Sequence, residues 1–541
     1  MLITAEHLSK TIGPKTLFAD LDLHISPGEK IALIGRNGSG KSTLLQIIGG
    51  IDQDYHGTIK MQNDLHVVLT KQEHLTDNTQ SALEYILTTV PFFREYEKVL
   101  HDFEQERHTD MHLYTKAVDY FSENGYYYIK DLILATLEDF QITNEKANNP
   151  LSTLSGGEKR FVELVRMMYA KADLLLIDEP TNHMDYIGKE QFISWMHTVS
   201  EGMLIVTHDR DVLEHVDRII ELKDKNMYSF KGNYDHYLKQ NTTQTTNSVI
   251  MYKNQLRRLE EAKKKVDWGL RMRAKSKAWK TRYDHWLRDY EKIKSETVKP
   301  SFWIDQDSMQ DVDKKVTDSY HKFKEKNITI AIHTDKERAS ELLAVKDLSL
   351  GYTTPLFSHI DFSLRNEDRI LIKGRNGAGK STLVRTILSQ YKNEVPKAVI
   401  MQGEIKLGVT VRIGEYEQEI DAKYLALTLE DAILSVYETH HIAIDDQRLK
   451  KVLSQYLFDP IIDARQKIGD LSGGQKARFQ IIKMLANKPN LLILDEPTNH
   501  LDLPSIEELE NALQTFQGGI LYISHDTNFI NHIGGDVIDI P

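Results

Sequence analysis

The sequence predicts an α/β protein in which one domain occurs twice, with a charged α-helical hairpin linking the two copies. Motifs recur in the same order in both halves, the first at an offset of 339 residues and the later ones at 317. Apolar runs such as 31–34 and 174–177 are typical of buried parallel strands, and they alternate with helical stretches such as 157–169. Each copy is therefore expected to form a parallel sheet with helices on both faces.

Composition places the chain among globular proteins and excludes several other classes. With 541 residues, 40% hydrophobic and 27% charged, it is long enough for several domains and is neither collagen-like nor disordered. No apolar run reaches the roughly 18 to 20 residues of a membrane helix, and the N-terminus does not resemble a signal peptide, so we expect a cytoplasmic protein. Cysteine is absent, which excludes disulfides and thiolate chemistry. The net charge of -12 argues against a uniformly basic nucleic-acid-binding surface.

The positions of the repeated motifs set the expected domain boundaries. Residues 1–240 form the first copy, residues 241–340 a charged helical linker, and residues 341–541 the second copy. The interval from Gln72 to Ser155 in the first copy is longer than the matching interval from Gln418 to Ser472 in the second. The first copy is therefore expected to carry a short helical insertion at about 90–130.

A phosphate-binding loop opens the series of motifs in each copy. Residues 35–42 and 374–381 both fit G-x-x-x-x-G-K-[ST] and lie between an apolar strand and a helix, which is the context that this loop requires. Its glycines let backbone N–H groups face a phosphate, its lysine reaches the terminal phosphates, and its last serine supplies a hydroxyl to Mg²⁺. A chance glycine-rich turn is the alternative, but two matches in register with every other motif count against it. The candidate ATP-binding residues of these loops are Gly35, Asn37, Gly38, Ser39, Gly40, Lys41, Ser42 and Thr43 in the first copy, and Gly374, Asn376, Gly377, Ala378, Gly379, Lys380, Ser381 and Thr382 in the second.

Adjacent carboxylates follow a later strand in each copy, within the shared block D-E-P-T-N-H-[ML]-D. Asp178 and Asp495 end an apolar strand, where an ionised carboxylate is costly unless it serves a partner such as hydrated Mg²⁺. The next residues, Glu179 and Glu496, are predicted to act as general base or to position the attacking water.

A histidine follows the next apolar strand of each copy. His208 and His525 each lie 29 residues after the corresponding glutamate. An imidazole at this place can contact the γ-phosphate or orient the glutamate, whereas an isolated histidine is more often structural. The equal spacing favours the catalytic interpretation, so both histidines join both glutamates as candidate catalytic residues.

A signature, L-S-G-G-[EQ], precedes the metal-facing aspartate by 23 residues in both halves. In this order, the phosphate-binding loop, the signature, the D-E pair and the histidine resemble the ATP-binding cassette (ABC) superfamily over nearly all of both copies. The resemblance implies two P-loop ATPase domains, here called cassettes 1 and 2, with two composite ATP sites in a monomer whose cassettes pair within the chain. Site one would combine Lys41 with Ser472, Gly473 and Gly474, and site two would combine Lys380 with Ser155, Gly156 and Gly157.

The same resemblance assigns further positions. Gln72 and Gln418 match the glutamines that reach Mg²⁺ in the family. Tyr352 matches the aromatic residue on which adenine stacks, whereas the aligned residue of the first copy is Ile12. We therefore expect weaker or less base-selective binding at site one, although both sites are expected to hydrolyse ATP. The candidate metal ligands are Ser42, Gln72, Asp178, Ser381, Gln418 and Asp495.

The linker distinguishes the chain from a transporter subunit. Two fused cassettes, the paired D-E-P-T-N-H-[ML]-D blocks and a charged helical linker resemble the ABC-F subfamily, whose members act on the ribosome. Residues 252–299 hold 16 Lys/Arg against 7 Asp/Glu, a net charge of +9, which leaves 52 basic and 73 acidic residues, or -21, for the rest of the chain. A basic segment on an acidic body can approach RNA phosphates locally, although a solvated hairpin that only spaces the cassettes is the alternative. By resemblance to the ABC-F linker tip, the candidate RNA-contacting residues are Arg271, Arg273, Lys275, Lys277, Lys280 and Arg282.

These features predict an ABC-F ATPase that binds the ribosome, at large-subunit rRNA and tRNA, with ATP and leaves it on hydrolysis. A housekeeping translation factor and an antibiotic-resistance protein both remain open within this prediction. The alternative from another class is the ATPase of a transporter with separate membrane subunits. A DNA-repair or chromatin-type ABC ATPase is least favoured, since those proteins carry long coiled-coil insertions within a cassette.

Overall fold

Each half of the chain folds around a parallel sheet flanked by helices, which confirms the predicted α/β class. The structure is a computed structural model, and it describes residues 1–13, 15–70, 79–105, 110–182, 184–324, 341–417, 420–499 and 501–541. A helical hairpin joins the two cassettes, as predicted.

The main sheet of each cassette brings the motif-bearing loops to one edge. In cassette 1 the strand order is Val67–Leu69, Leu174–Asp178, Gly202–Val206, Lys30–Gly35, Arg218–Lys223 and Asn226–Lys231. In cassette 2 it is Ile413–Tyr416, Leu491–Asp495, Gly519–Ile523, Arg369–Gly374 and Asp536–Ile540. Neighbouring strands are parallel, except for the last pair of cassette 1. Because the carboxyl ends of parallel strands meet at one edge, the phosphate-binding loop, the D-E pair and the histidine of a cassette lie together.

A three-stranded antiparallel sheet packs on one side of each main sheet. Its strands, in spatial order, are Lys15–Ile25, Ile3–Ile12 and His56–Met61 in cassette 1, and Pro355–Arg365, Glu341–Gly351 and Val399–Leu407 in cassette 2. Buried side chains of this sheet, such as Leu8 and Phe18, share one core with the helix that follows the phosphate-binding loop and with the main sheet. The equivalent core in cassette 2 contains Leu348 and Phe357.

The helices of each cassette cover the main sheet and form a second core on its other side. In cassette 1 they are Lys41–Ile48, Ala82–Leu87, Phe93–Glu104, Met111–Glu123, Ile129–Asp139, Asn144–Asn148, Gly156–Tyr169, Tyr186–Thr198 and Arg210–Leu213. In cassette 2 they are Lys380–Lys392, Ala422–Leu425, Leu429–Thr439, Asp446–Gln455, Gly473–Leu485, Leu503–Gln514 and Thr527–Ile533. Side-chain oxygens cap the two signature helices, since Ser155 and Ser472 each form a capping box with the residue three positions later.

The linker consists of two long helices and a return segment. The long helices are Tyr234–Met272 and Lys277–Glu296, and two shorter ones, Gln306–Met309 and Lys314–Phe323, follow. In the return segment, here residues 301–323, Phe302, Ile304 and Tyr320 pack with Val249 near the base of the first long helix. Among the described residues, no helix is both long enough and apolar enough to cross a membrane.

Candidate active site

The phosphate-binding loops have nearly the same conformation in both cassettes. Gly38 and Gly40 have φ of 77° and 103°, and Gly377 and Gly379 have φ of 85° and 103°, a region that favours glycine. A Cβ on Gly40 would lie 3.1 Å from the ring of Phe18, and one on Gly379 would lie 3.1 Å from the ring of Phe357. Both loops therefore need glycine for its backbone conformation and for the space it leaves.

The loop lysines are buried inside their own loops. Lys41 Nζ donates to the carbonyl oxygens of Gly35 at 2.7 Å and Arg36 at 3.3 Å. Lys380 Nζ donates to the carbonyl oxygens of Gly374 at 2.8 Å and Arg375 at 2.9 Å. Burial lowers the pKa of both ammonium groups, and nearby carboxylates oppose that effect. A bound phosphate would supply each lysine with an anionic partner.

The four candidate carboxylates follow adjacent strands next to these lysines. Asp178 and Asp495 are the last residues of buried strands, and the Ser381 side chain hydrogen-bonds to Asp495. Burial, reinforced by the charge of Asp178, raises the pKa of Glu179 to about 8. Burial, reinforced by Asp495, raises the pKa of Glu496 to about 7. Both glutamates therefore titrate near neutral pH, the range in which a general base works best.

Each candidate histidine lies against the glutamate of its own cassette. His208 Nε2 is 4.0 Å from Glu179 Oε1, and His525 Nε2 is 3.5 Å from Glu496 Oε1. Burial, together with the charge of the adjacent loop lysine, lowers the pKa of each histidine to about 3, so both imidazoles are neutral. Among the described residues, both ring nitrogens of His208 and Oε1 of Glu496 are buried without a hydrogen-bond partner.

Site one is a cavity of about 370 Å³ between the two cassettes. Cassette 2 closes it with its signature, because a Cβ on Gly474 would collide with the side chain of Asn37. Many residues predicted for site one or site two line this cavity. They are Asn37, Gly38, Gly40, Lys41, Ser42, Thr43, Asp178, Glu179, His208, Ser472, Gly473, Gly474, Glu496 and His525. The structure thus brings the first phosphate-binding loop and the second signature together.

Site two is a smaller cavity of about 240 Å³ in cassette 2. Its lining includes Tyr352, Asn376, Gly377, Gly379, Lys380, Ser381, Thr382, Asp495, Glu496 and His525. The signature residues Ser155 and Gly156 are exposed and are not part of this lining, and a Cβ on Gly156 would meet nothing within 4 Å. The structure therefore does not bring the first signature to the second phosphate-binding loop as closely as it does at site one.

Two aspartates of the repeated block cross the interface, although the sequence alone assigned them no role. Asp502 Oδ2 accepts the backbone N–H of Asn37 at 3.4 Å, and Asp185 Oδ2 accepts that of Asn376 at 3.0 Å. Their recurrence at the end of both D-E-P-T-N-H-[ML]-D blocks was the available signal. Arg160 was also missed, and its guanidinium donates to the carbonyl oxygens of Asp178, at 2.9 Å, and Glu179.

Among the described residues, Ile12 and the six linker cations do not line either site. Gln72 and Gln418 are outside the described residues. Ile12 is 54% exposed at the end of its strand and, unlike Tyr352, does not line a described cavity of its site. The six candidate RNA-contacting cations are all exposed at the tip of the linker hairpin.

The donor set fits ATP with a hard divalent cation. The buried loop lysines lie near carboxylates, and buried polar atoms of His208 and Glu496 lack partners among the described residues. Serine hydroxyl and aspartate oxygens are the ligand type that Mg²⁺ prefers.

Comparisons with known proteins support the same identification. The sequence profile of the ABC transporter family matches residues 18–182 and 357–499. The putative ATP-binding protein YdiF of Bacillus subtilis (strain 168) is 30% identical over 551 residues, covering 100% of this chain and 80% of that protein. The energy-dependent translational throttle protein EttA of Escherichia coli (strain K12) is 27% identical, covering 99% of this chain and 91% of EttA.

Solved structures share the fold at low sequence identity. The archaeal ribosome recycling factor aABCE1, in complex with the ribosomal stalk protein aP1, superposes with a TM-score of 0.56 at 15% identity, covering 98% of this chain and 87% of that one. An RNase-L inhibitor superposes with a TM-score of 0.54 at 16% identity, covering 99% and 87% of the two chains. With two matched cassettes in tandem and relatives of the same organisation along its whole length, the chain belongs to the ABC family and, within it, to the ABC-F subfamily of ATPases.

Proposed function

We propose that this chain is an ATPase that binds the ribosome in its closed, ATP-bound form and is released when ATP is hydrolysed. EttA, a relative matched over 99% of this chain, is by name an energy-dependent translational throttle protein. ATP held between a phosphate-binding loop and the opposite signature would keep the cassettes closed, and loss of the γ-phosphate would remove that connection.

The proposed chemistry assigns one task to each type of side chain that recurs at the two sites. Lys41 and Lys380 bind the terminal phosphates, and the serine that follows each lysine holds Mg²⁺ together with Asp178 or Asp495. Bound Mg²⁺ supplies positive charge that offsets the charge of the phosphates. Glu179 and Glu496 orient the attacking water and accept its proton, and the neutral imidazoles of His208 and His525 fix the glutamates in place.

The same proposal assigns RNA binding to the tip of the linker. At 1.5 Å per residue, the 39-residue helix Tyr234–Met272 is about 58 Å long, so it carries its far end well away from the cassettes. Beyond Lys253, which donates to Ser319 Oγ of the return segment, the two long helices pack on each other. The exposed cations of the tip are thus free to meet large-subunit rRNA or tRNA phosphates.

One observation carries the ribosome proposal: a projecting segment of net charge +9 on a body of net charge -21, by the residue counts of the sequence. Phosphate contacts release counterions, so such binding weakens as salt rises. The rest of the chain is acidic, so the protein attracts RNA phosphates only through this segment.

A ribosome-pelleting assay tests the proposal. The Glu179→Gln/Glu496→Gln variant with ATP is expected to pellet with ribosomes. Changing the six tip cations to glutamine is expected to weaken pelleting and to reduce the slope of log affinity against log salt by about 0.7 to 0.9 for each phosphate that is no longer neutralised. In a chain that keeps both glutamates, the same six changes are expected to leave ATPase activity without ribosomes unchanged.

A matched control removes exposed lysines elsewhere. Lys60, Lys406 and Lys450 lie on the cassettes with more than half of each side chain exposed. Their change to glutamine is expected to leave pelleting and its salt dependence unaltered. Equal pelleting of the tip variant and its parent across the salt series would leave the hairpin as a spacer.

Within this proposal the chain acts as a translation factor or as a ribosome-protecting antibiotic-resistance protein. Expression of the gene in a drug-sensitive host separates the two roles, because only the second raises the drug concentration needed to stop growth.

A further inference from the structure

Lys189 connects the two cassettes from inside their interface. It lies on the helix Tyr186–Thr198 of cassette 1 and is 7% exposed. Its Nζ donates to the backbone carbonyl oxygen of His525 in cassette 2 at 2.7 Å, to Asp209 Oδ1 at 3.2 Å and to Asp211 Oδ2 at 2.8 Å. An ammonium has three donors, so all of them are used.

The charge on Lys189 is stable in this environment. Burial opposes the charge, but the carboxylates of Asp209 and Asp211 outweigh burial and raise the pKa of Lys189 above its usual value. The carbonyl of His525 therefore receives a charge-assisted hydrogen bond, which is stronger than one from a neutral donor.

The carbonyl that Lys189 contacts belongs to His525, a candidate catalytic residue of site two. The backbone N–H of His525 hydrogen-bonds to Glu496 and lowers the pKa of that carboxyl against the larger effect of burial. The ring of His525 lies 3.5 Å from the same carboxyl. Two residues further on, Thr527 Oγ1 donates to Asp211 Oδ2 at 3.0 Å. Cassette 1 thus contacts residues 525–527 at two atoms, the carbonyl oxygen of His525 and the hydroxyl of Thr527. His525 in turn contacts Glu496.

Site one has no equivalent lysine. Lys189 follows Asp185 by four residues, and the residue four positions after the matching Asp502 is Ile506, which lines site one near His208. His208 lies farther from its glutamate, at 4.0 Å, and its ring nitrogens have no hydrogen-bond partner within the described part of the chain. In the second half, Asn528 replaces Asp211.

We infer that Lys189 is a positioning residue for hydrolysis at site two: it fixes the backbone of His525, and through that residue Glu496, only while the cassettes are in contact. Hydrolysis at site two then depends on closure against cassette 1 in a way that hydrolysis at site one does not. This inference rests on the proposed roles of His525 and Glu496. Lys189 lines the cavity between the cassettes, but its ammonium donates to three protein oxygens.

The test uses backgrounds in which a single site hydrolyses ATP. Glu179→Gln leaves site two active and Glu496→Gln leaves site one active. In the first background, Lys189→Met is expected to lower kcat about ten- to hundredfold with little change in KM, because a displaced glutamate affects the reaction more than binding. In the second background its kcat is expected to stay within about twofold. Lys189→Arg, which keeps charged donors, is expected to restore part of the loss at site two.

A single-turnover experiment in the otherwise unaltered chain gives an independent readout. Lys189→Met is expected to split ADP formation into a phase at the normal rate and a slow phase of similar amplitude. Lys60→Met, on the exposed antiparallel sheet of cassette 1, is the control and is expected to leave the time course unchanged.

Three results overturn the inference: an equal fall of kcat in both backgrounds, no fall in either, or a single phase in the single-turnover experiment. An equal fall would show that Lys189 only stabilises the interface. If the roles proposed for His525 and Glu496 were wrong, the result would differ from these three. The Glu179→Gln/Glu496→Gln chain would then hydrolyse ATP with either lysine or methionine at position 189.

Discussion

At the scale of single residues, the two candidate glutamates share an uncommon backbone conformation. Glu179 has φ of 47° and Glu496 has φ of 51°, in the left-handed region that side chains other than glycine rarely adopt. The backbone N–H of Glu179 donates to Val206 at 2.8 Å, and that of Glu496 donates to Ile523 at 3.0 Å. Such strain costs about 1–3 kcal/mol per residue. Both glutamates adopt this conformation, and the hydrogen bonds to the neighbouring strand hold them in it.

The double variant Glu179→Gln/Glu496→Gln is expected to bind ATP but to lose turnover by about 10²- to 10⁴-fold, since an amide keeps the shape of the side chain but cannot accept a proton. Phosphate release measures turnover, and titration with a fluorescent ATP analogue measures binding. Glu190 and Glu438 are exposed glutamates, one in each cassette, and their change to glutamine is the control. Turnover at the parent rate in the double variant would contradict the assigned roles.

The two sites are also expected to differ in how they hold the base. Tyr352 lines site two, whereas Ile12 offers no ring at site one. Loss of base stacking costs about 1–3 kcal/mol, so Tyr352→Ala is expected to weaken ATP binding about 5- to 150-fold and to reduce the preference for ATP over GTP. Ile12→Ala is expected to change binding less than about twofold. Equal losses of affinity for the two variants would count against this difference between the sites.

The sequence singles out candidate residues where chemistry demands a residue type at a fixed spacing. The loop lysines, the D-E pairs and the histidines recur in both copies, and the structure places each set at one edge of a sheet. Contacts between the copies cannot be read from the spacing within one copy. Asp185, Asp502 and Lys189 act across an interface whose register depends on how two folded surfaces meet, so their partners appear only in the structure.

At the scale of elements, the linker was predicted to be helical, and tryptophans join its two helices. The ring centroid of Trp268 lies 5.0 Å from that of Trp279 and 5.9 Å from that of Trp286. The return segment was not predicted to pack on the base of the hairpin, because its apolar residues Phe302, Ile304 and Tyr320 follow neither a helical nor a strand period. Its position also depends on cassette 2, where Glu507 Oε2 accepts the Trp303 indole N–H at 3.0 Å.

Trp286 is expected to hold the hairpin together more than Trp279 does. A Cβ on Gly269 would lie 3.0 Å from the Trp286 ring, so the indole fills the gap that this glycine leaves between the helices. Trp286→Ala is expected to destabilise the hairpin by about 1–3 kcal/mol, and Trp286→Phe, which keeps a ring there, by less. Amide hydrogen exchange over residues 260–295 measures the effect. Equal protection in the parent and the alanine variant would show that the helices pair without this ring.

At the scale of the whole molecule, buried charges join the cassettes where closure occurs. Arg210 Nη1 and Nη2 of cassette 1 donate to Glu510 Oε1 at 2.9 Å and Oε2 at 3.3 Å in cassette 2. Arg210 is 6% and Glu510 is 3% exposed. His532 Nδ1 lies 3.4 Å from Glu510 Oε2. Because opening of the interface exposes both charges to water, this pair makes the free energy of closure sensitive to each partner.

The pair itself can be tested by removing one charge and then both. Arg210→Met leaves Glu510 buried without its main partner, which costs about 3–5 kcal/mol, and is expected to prevent closure by ATP. Adding Glu510→Met removes the stranded charge, so the double variant is expected to close more readily than Arg210→Met alone. The ATP-dependent fall in radius of gyration, measured by small-angle X-ray scattering in the Glu179→Gln/Glu496→Gln background, reports closure. Lys450→Met, which breaks an exposed pair with Asp446, is the control and is expected to close like the parent. Weaker closure of the double variant than of Arg210→Met would contradict this prediction. It would mean that Glu510 has another partner in the closed state that is strong enough to replace Arg210. Closure would then not depend on Arg210.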